Sequence, residues 1–444
     1  MAGGTRARPA EPAAEGVRAP AGAWRPIASG ELAVRLDAAL REIAAAVDGA
    51  DPERLPEGAP AAYQELQRVN LSSGAAGIAL LHAELATATG DQREAERARA
   101  LAADGAAALA EITMGPALLG GFTGLAWAAE AVERRLGAEA GDLADEIDEA
   151  LAGYVAAGPW RGEYDLVSGL VGFAAYALDR LPAPGAERLL VLLADRLAEL
   201  AVPVGDGLAW RTPPERLPPH QLAAFPDGCW NVGLAHGVPG AIAVLAGMLD
   251  AGIRADRTRE VLAGAVRWLL AQRLEGCPGF PSIVAEAVGP NPSRLAWCYG
   301  DPGIAIALYR AGAALGDAVL VEAALDVARR AAEMPLEGSG VVDAGICHGA
   351  AGLAHIFNRL HQATGEELFA EAARRWLATT LELRRPGEPV AGFAAWQAVP
   401  EPHWSPTPGL LNGAAGVGAV FAAAIHGLEP VWDSCLLLNL PSGA

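Results

Sequence analysis

A Gly-x-x-Gly step that opens an apolar, small-residue stretch occurs seven times in this chain of 444 residues, at Gly74/Gly77, Gly121/Gly124, Gly169/Gly172, Gly237/Gly240, Gly300/Gly303, Gly349/Gly352 and Gly413/Gly416. Internal repetition on this scale limits the fold more than any local signal does, because a repeated unit buries its apolar face only against its neighbours. Successive first glycines stand 47, 48, 68, 63, 49 and 64 residues apart, enough for two helices and their connections. Each repeat therefore reads as a helix pair.

The two helices of a pair differ in kind. Apolar residues recur at three and four over 31–48, 91–111, 139–157, 185–200, 256–273, 317–334 and 367–384, as in Leu189, Leu190, Leu193, Leu197 and Leu200. That spacing predicts amphipathic helices with one solvent face. The stretches after Gly-x-x-Gly, such as Gly240-Ala-Ile-Ala-Val-Leu-Ala-Gly-Met-Leu249, are apolar on nearly every side and predict buried, closely packed helices.

Seven buried helices inside seven amphipathic ones close into an α/α toroid. An open solenoid needs polar terminal caps, whereas the last repeat, Asn412-Gly-Ala-Ala-Gly416, is as apolar as the central ones. Residues 23–444 are accordingly expected to form one domain. Residues 1–22, rich in Ala, Gly, Pro and Arg and without the apolar core of a signal peptide, are expected to be a disordered tail.

Composition removes several classes of function. Hydrophobic residues make up 52% of the chain, yet no apolar run approaches the roughly 20 residues that span a bilayer, so no membrane insertion is expected. A net charge of −20 argues against a nucleic-acid partner, since a phosphate-binding surface needs concentrated positive charge. Five cysteines, an odd number, fit the reducing cytoplasm better than a disulfide framework. All 33 basic residues are Arg, which together with abundant Ala points to a GC-rich bacterial genome.

Because each Gly-x-x-Gly starts a buried helix, the residues just before it line one rim of the ring. Immediately before the first glycine stand Ser73, Gly120, Ser168, His236, Tyr299, His348 and Asn412; two before it stand Ser72, Leu119, Val167, Ala235, Cys298, Cys347 and Leu411. Cys298 and Cys347 share one register position in adjacent repeats and should meet, with His348 in the same loop. Two thiolates and an imidazole suit tetrahedral Zn²⁺, and three protein ligands leave a fourth position open, the pattern of a catalytic site. The competing reading makes both cysteines small buried hydrophobes; the shared register and the Cys-His dipeptide favour zinc. Such a site suits activation of an incoming thiol, whose proton metal coordination displaces.

The segments Asn231-Val-Gly-Leu-Ala-His-Gly-Val-Pro-Gly240, Trp297-Cys-Tyr-Gly-Asp-Pro-Gly303, Cys347-His-Gly-Ala-Ala-Gly352 and Leu410-Leu-Asn-Gly-Ala-Ala-Gly416 resemble the lanthionine synthetase C-like family, the lanthipeptide cyclases, over essentially the whole chain. The resemblance implies a seven-fold α/α toroid with zinc on Cys298, Cys347 and His348. It also implies a reaction in which a peptide cysteine adds to a dehydroalanine or dehydrobutyrine of a dehydrated precursor peptide, closing a lanthionine or methyllanthionine thioether ring. His236 matches the acid/base histidine, whose pKa near 6.5 suits protonation of the enolate. Asp165 and Arg294 match polar positions of these cyclases: Asp165 would orient His236 and Arg294 would stabilise the enolate oxygen, or the two would form structural ion pairs. Tyr299, beside a ligand, either contacts substrate or packs.

Cys229, Cys277 and Cys435 lie outside the register, and the remaining histidines read as packed or surface residues. The Pro- and aromatic-rich stretch from Val202 to Trp230 is expected to be a substrate-facing loop or a small β element. The favoured function is a stand-alone cyclase working beside a separate dehydratase and an exporter. The alternatives are glutathione addition to dehydroamino acids in proteins, zinc-thiolate chemistry of the prenyltransferase kind, against which seven repeats and a Cys-Cys-His set count, and a non-catalytic peptide-binding toroid.

Overall fold

The computed structural model describes residues 24–48, 50, 61–138, 142–275, 279–286, 289, 291–398 and 401–441. The segment 1–22, Cys277 and the side chain of His220 lie outside the described residues.

The first glycine of every Gly-x-x-Gly caps a helix, giving inner helices Ala75–Thr89, Phe122–Arg135, Leu170–Asp179, Val238–Asp250, Asp301–Leu315, Ala350–Thr364 and Ala414–Ile425. The cause is steric. The chain turns back so tightly before each helix that a methyl group at the second glycine would overlap the carbonyl six residues earlier, that of Leu118 for Gly124 and of Leu410 for Gly416. The same glycine seats the neighbouring repeat: a Cβ on Gly77 would lie 2.8 Å from Cβ of Leu410, and one on Gly172 would lie 3.0 Å from Cβ of Leu118. The motif therefore sets both the start of the helix and the spacing between repeats.

Outer helices follow at Gly30–Val47, Gln92–Glu111, Leu143–Ala156, Pro184–Leu200, Ala255–Leu270, Ala318–Glu333 and Glu367–Glu382, within a few residues of the periodicity. Asp91 and Asp317 cap two of them by accepting from Arg93 N and from Val319 and Leu320 N, which satisfies amide groups that a helix start leaves unpaired.

Closure follows from which helices touch. Six inner helices pack against the outer helix that comes next in sequence, while Ala414–Ile425 packs against Gly30–Val47, the first outer helix. The same inner helix lies between Ala75–Thr89 and Ala350–Thr364. The chain is an α/α toroid whose first and last helices complete the ring.

A second ring, of backbone hydrogen bonds, runs along the rim. Ser72 N–H donates to Leu119 O (3.1 Å), Leu119 to Val167 (3.3 Å), Leu166 to Ala235 (3.0 Å), Ala235 to Cys298 (3.3 Å), Cys298 to Cys347 (3.2 Å), Cys347 to Leu411 (3.0 Å) and Leu411 back to Ser72 (2.9 Å). The rim loops are therefore tied in a circle before any side chain is considered.

The opposite end is filled by residues 429–440. Arg359 of one inner helix holds Asp433 with Nε and Nη2 at 2.6 and 2.8 Å, His355 Nε2 lies 2.6 Å from Asp433, and Arg310 donates to Asn439 Oδ1 at 2.7 Å. Trp432, Cys435, Leu436 and Leu438 are completely buried there. The segment that carries Cys435 is therefore a plug.

The expected all-α layout gains three two-stranded antiparallel ribbons: Val202–Val204 with Gly207–Ala209, Trp230–Asn231 with Ile283–Val284, and Ala395–Gln397 with His403–Ser405. They occupy the three long repeat spacings. The stretch from Val202 to Trp230 holds a β element, as one of its two readings has it. Among the described residues no helix is long and apolar enough to cross a membrane.

Candidate active site

The rim ring explains why two cysteines 49 residues apart meet. The amide of Cys298 donates to the carbonyl of Cys347, which places their side chains together, and His348 follows in the same loop. One ligand atom from each of Cys298, Cys347 and His348 lies within 4.8 Å of the others. Cys298 is buried, and the other two are partly exposed at the rim.

The electrostatics of this group are those of a shared negative charge. The hydrogen bond from Cys347 holds the Cys298 thiol well below the ordinary thiol range; burial opposes this, and His348 and the charge of Arg294 add to it. Cys347 is pushed up, by that same hydrogen bond and by burial. Burial disfavours a charged His348, but its contact with Cys298 and the charge of Asp343 prevail and raise its pKa. The convergence of two thiols and an imidazole makes a donor set from which a cation can displace protons. Soft sulfur with imidazole suits Zn²⁺.

Beside the cluster stands an oriented histidine. His236 Nδ1 is 2.7 Å from Asp165 Oδ2, and Asp165 Oδ1 accepts from Ser168 N at 2.8 Å, which locks the carboxylate. Burial works against a charged His236, yet the bond to Asp165 and its charge raise the pKa. The His236 ring stacks on Tyr299 at 5.7 Å with the planes 21° apart. Tyr299 directly follows Cys298, so its ring bridges the cysteine cluster and the histidine.

Tyr299 is itself held. Its hydroxyl donates to Asn231 Oδ1 at 3.0 Å, and Asn231 Nδ2 donates to Thr212 Oγ1 at 2.8 Å. Burial, then the negative charge of Cys298, keep this phenol protonated. Arg294 is exposed and, among the described residues, forms no ion pair; its charge instead acts on Cys298 and Cys347. Of the two roles open to Arg294 and Asp165 as ion-pair formers, only Asp165 has a charged-type partner, and that partner is His236.

All seven residues singled out in the sequence, Asp165, His236, Arg294, Cys298, Tyr299, Cys347 and His348, are thus brought to one part of the rim. The reading from the sequence did not single out Asn231, Asp343 or Glu163, whose charge also acts on His236. A usable signal was present: Glu163, Asn231, Arg294 and Asp343 all stand six residues before a first glycine. Other histidines fall outside this group: His82 pairs with Glu94 at 2.6 Å and His355 with Asp433. Cys229 is buried in a β-bridge to Thr212, and burial pushes its thiol up to about 11.

Comparison with known proteins accords with this geometry. The nisin biosynthesis protein NisC of Lactococcus lactis subsp. lactis is 27% identical over 212 residues, which is 45% of this chain. The matched stretch spans 50% of the length of that protein. Among solved structures, nisin cyclase superposes with a TM-score of 0.72 at 20% identity, covering 91% of this chain and 97% of its own, a likeness of fold. The model of the family described as lanthionine synthetase C-like protein matches residues 65–437, and the chain belongs to that family.

Proposed function

We propose that this protein is a zinc-dependent cyclase that adds cysteine thiols to dehydroalanine or dehydrobutyrine within a dehydrated precursor peptide. The observation that carries the reading is the placement of Cys298, Cys347 and His348 beside the His236–Asp165 pair, with Tyr299 between them. Zn²⁺ would be held by Cys298, Cys347 and His348, and when bound it supplies the Lewis acidity that lets a substrate thiol ionise near neutral pH.

The chain's own residues account for the remaining requirements. In the reaction the thiol loses its proton, sulfur bonds to the β-carbon, the π pair of the alkene moves toward the α-carbon and carbonyl, and the enolate takes a proton at the α-carbon. His236 is suited to handle that proton. Asp165 engages Nδ1, which leaves Nε2 to face the reacting atoms, and the raised pKa keeps a useful imidazolium fraction at neutral pH. Arg294, exposed and unpaired among the described residues, is a cation available to the developing enolate oxygen. The protonated Tyr299 offers a flat wall against which His236 is stacked and a substrate residue can rest.

The test combines metal and chemistry. Purified wild type is expected to carry one equivalent of zinc by elemental analysis and to consume free thiols of a dehydrated, cysteine-containing peptide, followed by mass spectrometry. Cys347→Ala should lose both. His236→Ala should keep the zinc and lose thioether formation. Absence of zinc from the wild type would sink the reading and leave a peptide-binding toroid.

A further inference from the structure

We infer that Asp343 is a positioning residue for His348, fixing the imidazole so that one ring nitrogen faces the carboxylate and the other is directed to the cysteine pair. The inference rests on the metal site proposed above. Asp343 stands five residues before His348 and is 2% exposed. Its Oδ2 lies 3.6 Å from His348 Nε2. Two amides fix the carboxylate: Gly345 N donates to Oδ1 at 3.1 Å and Trp396 N donates to Oδ2 at 2.9 Å.

These contacts bear on a ligand for three reasons. A buried carboxylate needs a compensating donor or cation, and here His348 is the ionisable partner beside it. The assignment gives Nε2, 3.6 Å from Asp343, to the carboxylate and Nδ1 to Cys298 and Cys347. Carboxylates placed behind a ligating histidine in this manner set its tautomer and raise the basicity of the coordinating nitrogen. The fold itself does not demand a carboxylate at this point. The corresponding residues of the other repeats are Arg68, Gly115, Glu163, Asn231, Arg294 and Thr407, and their loops join the same rim ring.

The same oxygen also roots a neighbouring element. Trp396 belongs to the ribbon Ala395–Gln397/His403–Ser405, in which the Trp396 and Trp404 rings lie 5.2 Å apart and the Arg385 guanidinium sits 4.2 Å from the Trp404 ring centre. Asp343 therefore joins an aromatic ribbon at the rim to the imidazole of the cluster, so the orientation of His348 is secured by chain from a different repeat spacing.

The experiment strips full-length wild type, Asp343→Asn and Asp343→Ala of metal, titrates Zn²⁺ against a competing chromophoric chelator, and records visible spectra of the Co²⁺-loaded proteins. Circular dichroism reports the fold. Asp343→Ala should bind Zn²⁺ about 10- to 100-fold more weakly. Asp343→Asn, nearly the same shape and still offering an acceptor oxygen, should lose less, and the Co²⁺ bands should move in both. The Asn variant keeps the test decisive if the Ala variant does not fold. Unchanged affinity and unchanged bands in a folded Asp343→Asn overturn the assignment while leaving the metal site standing. A wild type that takes up neither metal overturns the site and this assignment together.

Discussion

Cys298 donates its backbone N–H to the carbonyl of Cys347 at 3.2 Å. That bond is one link in a closed circle of rim hydrogen bonds, so the two thiols are set side by side by the main chain.

The first prediction concerns the histidine–carboxylate pair. His236 has a raised pKa because Asp165 outweighs burial. A raised histidine pKa contributes stability that is fully present below about 6.5, the unfolded value, and is lost as pH rises through the folded value. In Asp165→Asn the hydrogen bond to a carboxylate and its charge are lost, burial is opposed only by the charges of Cys298 and Glu163, and the His236 pKa should fall. Titration of the His236 ring proton by NMR checks this, and thioether formation should drop about 100-fold.

Arg294→Ala should separate catalysis from structure. The side chain is exposed and makes no ion pair among the described residues, so stability should change by less than about 0.5 kcal/mol, with zinc retained. Turnover should fall about 100-fold if its charge meets the enolate oxygen. Full cyclisation activity in the variant would remove Arg294 from the mechanism.

Two glycines of the rim should respond in opposite ways to one methyl group. In Gly416→Ala the added carbon would overlap the Leu410 carbonyl and press on Ile346 Cδ1 at 2.9 Å, costing about 3 kcal/mol. A Cβ on Gly115 meets nothing within 4 Å, and Gly115→Ala should shift stability by no more than about 0.5 kcal/mol. Urea unfolding of both variants beside wild type measures the difference.

The plug yields a prediction about acid. Burial opposes ionisation of Asp433, but Arg359 and the bond from His355 outweigh it and hold the carboxyl at about 2. Burial lowers the pKa of His355, so the neutral ring donates from Nε2. A depressed carboxyl pKa contributes stability that is present above the unfolded value near 3.9 and is lost as pH falls toward about 2. Asp433→Ala should cost about 3–5 kcal/mol at neutral pH by leaving Arg359 buried without this partner. Asp433→Asn should flatten the acid limb of a stability–pH curve.

How much of this was legible varies with the range of the interaction. Both helix layers could be read because each periodicity is local, and Cys298 and Cys347 could be paired because register turns sequence position into place on a ring. Asp343 was missed because the reading followed the one or two residues before each glycine, whereas its position belongs to the residue six before. Tyr299 reads in the sequence as either substrate contact or packing, and it is the hydrogen bond to Asn231, 68 residues away, that holds its ring in the site. A hydroxyl and an amide carry no mark in the sequence of which partner they will find.

By itself, then, the sequence determined the repeat, the two kinds of helix, the closed ring and the meeting of two cysteines with a histidine, since each follows from a steric or periodic rule within one repeat or from the register that relates one repeat to the next. The tertiary structure alone decided that the first outer helix completes the last pair, that residues 429–440 stop the far end, that Asp165 faces His236, and that Asp343 stands behind His348. Those contacts join distant segments through single hydrogen bonds and charges, whose partners are chosen by the packed ring rather than by any pattern along the chain.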